Sequence, residues 1–208
     1  MFNDKYSLTQ AVLDGRKTMT RRIVKCPRTF KGEWVAGFNI HRRHSDKKIV
    51  GWPCMYDADE REFDMGEIFP KYKVGEVVAI AQSYLDLSLA EVSQWKSNGN
   101  KTTINSLAGW TNKLFTKAEL MPHHIRITNI KIEKLQGISD KDCLKEGIYK
   151  GQCGSADTHF MDAYYYKGDI QPYCTPREAF AALIDKVSGK GTWESNPYVF
   201  AYEFELID

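Results

Sequence analysis

No stretch of about 18 consecutive apolar residues occurs in this 208-residue chain, so no transmembrane helix is expected. The opening residues, MFNDKYSLTQ, lack a basic segment followed by an apolar one. No secretory signal is therefore expected, and the reading is a cytoplasmic protein with no membrane partner. Cysteine is sparse and scattered: Cys26, Cys54, Cys143, Cys153 and Cys174 form no C-x-x-C pair and no zinc-finger spacing. Reduced thiols fit this pattern better than a disulfide framework. Cys153, His159 and Cys174 are too irregularly spaced to imply a metal, and nothing implies a cofactor. Internal repeats and low-complexity linkers are also missing, which favours a single domain over residues 1–208.

What is present suits a folded core, with 42% hydrophobic and 12% aromatic residues. The net charge of +2 conceals an asymmetry, because residues 1–50 hold twelve Lys/Arg against four Asp/Glu. The stretch YDADEREFDMGE (56–67) is acidic in compensation. A basic face of this kind either meets phosphate or is simply a solvated surface.

Along the chain, YSLTQAVLDGRK reads as a short amphipathic helix stopped by Gly15. Within 34–56, WVAGFNI and KIVGWPCMY suggest a hairpin-like excursion with the basic tip HRRHSDKK. VVAIAQSY (77–84) follows a turn at Gly75 and reads as a strand, then LAEVSQWKS as a helix and SNGNKTT as a loop. In IRITNIKIEKL (125–135), apolar residues alternate with Arg126, Thr128, Lys131 and Glu133, the pattern of a half-exposed strand. ISDKDCLKEGI predicts a short helix with Ser139 as N-cap and Gly147 as its end. TPREAFAALIDKVSG predicts a longer one, with Thr175 capping, Pro176 at the first position and Glu178 completing a capping box. YVFAYEFELI (198–207) reads as an alternating final strand, and residues 149–174 as an irregular insertion. This order predicts an α+β fold, a small, mostly antiparallel β-barrel with flanking short helices.

The segment DGRKTMTRR (14–22) packs Arg16, Lys17, Arg21 and Arg22 around Thr18 and Thr20, directly after a helix end. Its GRKTMTRR resembles the G-x-K-x-x-x-R signature of the ASCH domain family, part of the PUA-like β-barrels. KYKVGEVVAI, IRITNIKIEKLQGISDKDCLKEGI and WESNPYVFAYEFELI resemble further segments of that family, in family order and closest to bacterial and phage versions. Residues 28–68, 86–120 and 149–174 match nothing in the family and read as insertions. The resemblance implies a PUA-like barrel with a basic cleft for RNA or a nucleoside. It also implies, from a shorter bacterial branch, an amidohydrolase that deacetylates N4-acetylcytidine. In that branch a lysine, a threonine and a glutamate are functional, and they fall on Lys17, Thr20 and Glu146. Arg16, Arg21 and Arg22 would then bind ligand, with Tyr84 as a stacking surface. The chain departs from the family at Ala81-Gln82-Ser83-Tyr84, where many phage relatives carry Arg-Glu.

Those residue types are sufficient for amide hydrolysis. A threonine hydroxyl needs an adjacent base to become a nucleophile. A lysine serves as that base when burial or neighbouring cations depress its pKa, and a glutamate can pass the proton to the leaving nitrogen. Each residue also has a structural use: Lys17 at a helix carbonyl end, Thr20 as an ordinary strand residue, Glu146 paired with Lys145 or an arginine. The functional expectation is an RNA- or nucleoside-binding domain, with an amidohydrolase as the alternative. A ribonuclease ranks lower because no paired-histidine site stands out, and an adaptor would require an exposed Tyr164–Tyr166 surface.

Overall fold

The computed structural model describes residues 2–87, 108–154 and 159–207. The helix and loop read in LAEVSQWKS and SNGNKTT lie outside them. The fold is α+β, built on a curled, half-barrel antiparallel sheet. Its strands are β1 (Met19–Ile23), β7 (Val77–Ala79), β8 (His124–Lys134) and β11 (Tyr198–Leu206), in the spatial order β1-β11-β8-β7. No helix among the described residues is long and apolar enough to cross a membrane.

The sequence reading of β8 was correct in type and explains an irregularity. Its apolar residues change parity, from Ile125 and Ile127 to Ile130 and Ile132. Asn129 pairs with Glu203 and Ile127 with Phe204, which leaves Thr128 as the extra residue of a bulge. The bulge resets the phase so that both isoleucine pairs meet one core. β11 is not the one-sided strand expected: Val199, Phe200, Ala201 and Tyr202 are all buried. As an inner strand it is covered on both faces. Val199 packs into a cluster with the helices, while Phe200, Tyr202 and Phe204 fill the half-barrel.

α1 (Leu8–Leu13) ends at Gly15, whose φ of +69° favours a residue without Cβ. α2 (Asp140–Lys145) starts at Ser139, whose hydroxyl accepts from Asp142 N–H. Gly147 follows at φ +103°, and a Cβ there would meet Leu8 Cδ2 at 3.3 Å, so this turn and α1 pack too closely for a side chain. α3 (Pro176–Ser188) has the expected capping box, with Thr175 Oγ1 accepting from Glu178 N–H at 3.1 Å and Glu178 Oε2 accepting from Thr175 N–H at 3.3 Å. α3 buries Phe180, Leu183 and Ile184 against Leu135, Ile138 and Val199. Thr175→Ala is expected to cost about 1 kcal/mol of stability, read as a lower urea midpoint, because it removes one side of that box. A short α4 (Thr192–Ser195) leads into β11.

The excursion after β1 forms a small hairpin, β2 (Thr29–Phe30) with β3 (Glu33–Trp34). A three-stranded sheet follows, of β4 (Gly37–Asn39), β5 (Cys54–Tyr56) and β6 (Glu62–Glu67). The expected hairpin is present, and the acidic stretch supplies its third strand. Two expectations fail, and the surface that an adaptor would require is not there. The strand read over 77–84 stops at Ala79, because the chain leaves the sheet into a turn in which Asp86 accepts from the Ser83 hydroxyl at 2.5 Å. Residues 149–174 are not irregular throughout, since β9 (Tyr149–Cys153) and β10 (Met161–Tyr165) form an antiparallel hairpin. Tyr164–Tyr166 is no exposed surface: Tyr164 and Tyr165 are half-buried, and Tyr166 is fully buried with its hydroxyl donating to Asp169 at 2.6 Å.

Candidate functional site

β1 carries Thr20, Arg21 and Arg22 along one side of a groove of about 730 Å³, and Lys17 enters it from the turn after α1. The opposite sides come from Phe2 to Leu8, from residues 111–114 and from α3. Glu146, the C-cap of α2, completes the floor. Two short-range devices place these groups: the glycine stop of α1 turns Lys17 inward, and the Ser139 cap and Gly147 turn position Glu146.

Lys17 is 2% exposed, and its Nζ donates to Glu146 Oε2 at 2.6 Å and to the Glu146 carbonyl at 2.8 Å. The second bond caps a helix carbonyl end, but that of α2 rather than the preceding helix. Burial pushes the Lys17 pKa below its ordinary value despite the opposing pull of Glu146. Arg21 is also buried. Its NH1 donates to Glu146 Oε1 at 3.0 Å, its Nε and NH2 to Glu133 Oε1 at 2.9 and 2.7 Å, and its NH2 to Asp142 Oδ2 at 3.4 Å. Lys131 closes the network, at 3.2 Å from Glu133 and 3.3 Å from Asp142. Three cations therefore face three carboxylates, and the floor is balanced rather than basic. Lys145 does not pair with Glu146; its Nζ donates to Glu203 at 2.7 Å.

Of the residues singled out in the sequence, Lys17, Thr20, Arg21, Arg22 and Glu146 border one groove. Two do not. Arg16 is exposed and donates to Asp14 at 2.8 Å, outside the groove, because it points away from the turn that buries its neighbour. Tyr84 cannot offer a stacking face: it is 3% exposed, packed with Leu87 and Met121, and its hydroxyl accepts from Lys117 N–H at 3.0 Å. Trp52 packs on Phe200 and Trp193 on Phe180, which makes both of them anchors of the core.

Sequence reasoning missed Glu133, Asp142 and Lys131 as members of the site. Lys131 and Glu133 are polar positions in the alternating pattern of β8, which reads as a half-exposed strand, and Asp142 lies in the first turn of α2. It also missed Phe2, whose ring lies 5.9 Å from Lys17 Nζ. A further omission was Lys113, which donates to the Phe2 carbonyl, to Asp4 at 2.7 Å and to Thr9 at 3.0 Å, tying the N-terminus over the groove. Among the described residues no group of three or more His, Cys, Asp or Glu side chains is arranged to hold a metal ion. In comparisons with protein-family models, with curated proteins and with solved structures, the chain finds no match in any of the three.

Proposed function

We propose that this chain is a PUA-like, ASCH-type domain whose groove binds a nucleoside. Lys17, Thr20 and Glu146 would make it an amidohydrolase that removes the acyl group from an N4-acetylcytidine-like nucleoside. One observation carries the reading: a fully buried lysine lies 2.6 Å from Glu146 on the floor of a groove that Thr20 also lines. A buried ion pair is a poor stabiliser compared with apolar packing, and an ionisable group perturbed by burial inside a cleft is a candidate for chemistry. The groove volume lies in the range of small-molecule sites.

In this reading Lys17, whose pKa burial lowers, acts through its amine form as the base that takes the Thr20 hydroxyl proton while the oxygen attacks the acyl carbon. The rim and floor cations steady the developing oxyanion. The exocyclic nitrogen leaves with a proton passed from Lys17 through Glu146, and water then cleaves the Thr20 ester to release the carboxylic acid. The purified chain is expected to convert N4-acetylcytidine to cytidine, followed by chromatography. Lys17→Ala and Glu146→Gln should each lower the rate about 100-fold or more. A folded wild-type chain that releases no cytidine overturns the hydrolytic reading.

A second reading, capture of RNA, is favoured by the exposed tip between β4 and β5, where Arg42, Arg43, Lys47 and Lys48 all face solvent. The balanced floor argues that phosphate contact belongs to such outer cations rather than to Lys17 and Arg21.

A further inference from the structure

We infer that the main chain of Ile23, on the open edge of β1, reads the hydrogen-bonding edge of the ligand's base. The inference rests on the nucleoside reading above and adds the element that selects the base.

Among the described residues, β1 is an outer strand and pairs with β11 alone. Phe204 N–H donates to the Thr18 carbonyl at 2.9 Å and Val24 N–H to the Tyr198 carbonyl at 2.9 Å, which sets the phase of the ladder. Thr20, Arg22 and Val24, with the Thr18 carbonyl, therefore turn their main-chain groups toward β11. The alternate residues Met19, Arg21 and Ile23 turn theirs outward. Thr20, Arg21, Arg22, Ile23 and Lys25 all line the groove. Successive side chains leave opposite faces of a strand, so a cavity touching both sets runs along the strand edge itself.

Most of that edge is covered. Met19 is 0% and Arg21 5% exposed, and at this end the Lys145 carbonyl of α2 accepts from Thr18 N–H. Ile23 is only half-buried, and no described residue hydrogen-bonds its outward N–H or C=O. Among the described residues, what remains open is one donor beside one acceptor. That is too short for an added peptide strand, which uses several residues of ladder. It matches a ring edge with an adjacent donor and acceptor, such as N4–H and N3 of cytosine or O4 and N3–H of uracil. Methylation at N3 blocks that edge in both bases and leaves the sugar unchanged.

The experiment titrates the full chain calorimetrically with cytidine, uridine, their N3-methyl forms and, as size controls, their C5-methyl forms. N3-methylation is expected to weaken binding about tenfold or more, the loss of two ordinary hydrogen bonds, and C5-methylation to change it little. The uridine pair is decisive because its N3-methyl form stays uncharged. Ile23→Pro removes an outward N–H that the ladder does not use. It should weaken the parent nucleosides about tenfold and the N3-methyl forms little. Should Ile23→Pro fail to fold, the methylated ligands decide alone on the wild-type chain. N3-methyl forms that bind as well as their parents overturn this inference and leave the nucleoside site standing. A folded wild-type chain that binds none of the nucleosides overturns both.

Discussion

Arg21→Met is expected to lower the free energy of unfolding by about 3–5 kcal/mol, the cost of removing one partner from a buried ion network. The Arg21 side chain is inaccessible to solvent and holds Glu133, Glu146 and Asp142 in one place. Methionine fills most of the volume but leaves three carboxylates to Lys17 and Lys131. Burial prevents water from replacing the lost donors. Arg21→Lys should recover part of the loss, because a point charge cannot serve three acceptors as the planar guanidinium does. Lys17→Met should cost less than Arg21→Met, since Glu146 keeps its 3.0 Å bond to Arg21. Urea denaturation followed by tryptophan fluorescence measures all three. A loss under about 1 kcal/mol for Arg21→Met would place the network with solvated surface pairs.

The second large effect is expected in acid. Burial pushes the Asp142 carboxyl up, but Lys131 and Arg21 outweigh it and hold the group below its usual range. The bond from Lys145 holds Glu203 down, and the Tyr166 hydroxyl does the same for Asp169. Each of these carboxylates binds protons less readily folded than unfolded. Their stabilisation is therefore complete above the unfolded carboxylate range, about pH 4, and is lost as pH falls through the lower folded values. The urea midpoint should stay level from pH 7 to about pH 5 and fall steeply below about pH 4. Asp142→Asn should make that fall shallower. Lys17 acts at the other end. Its folded pKa lies below the unfolded one, so between the two the unfolded chain binds more protons and this group alone makes stability rise with pH. A midpoint that does not move between pH 7 and 3 would show that these carboxylates carry no linked stability.

Much of the architecture was legible because it is encoded within a few residues. The Thr175, Pro176 and Glu178 cap, the Ser139 cap with Gly147, and the alternation of β8 each act over a turn or two of chain. The parity change at Ile127 and Ile130 was equally visible, yet its meaning as a bulge required the partner strand. Of GRKTMTRR, Lys17, Thr20, Arg21 and Arg22 border the groove and Arg16 does not.

By itself, the sequence determined the helices, the main strands and the crowding of cations at the start of β1, all local consequences of capping, periodicity and composition. Only the tertiary structure decided what those cations do. Lys17 finds Glu146 across 129 residues of chain and Arg21 finds Glu133 across 112, so the basic stretch becomes a neutral floor. Arg16, one residue from Lys17, falls outside it, and Tyr84 is spent on the core. The physical reason is that a charge's environment depends on which surfaces fold against it. α2 packs against the start of β1, where the Lys145 carbonyl accepts from Thr18 N–H, and no local pattern in the sequence specifies that contact.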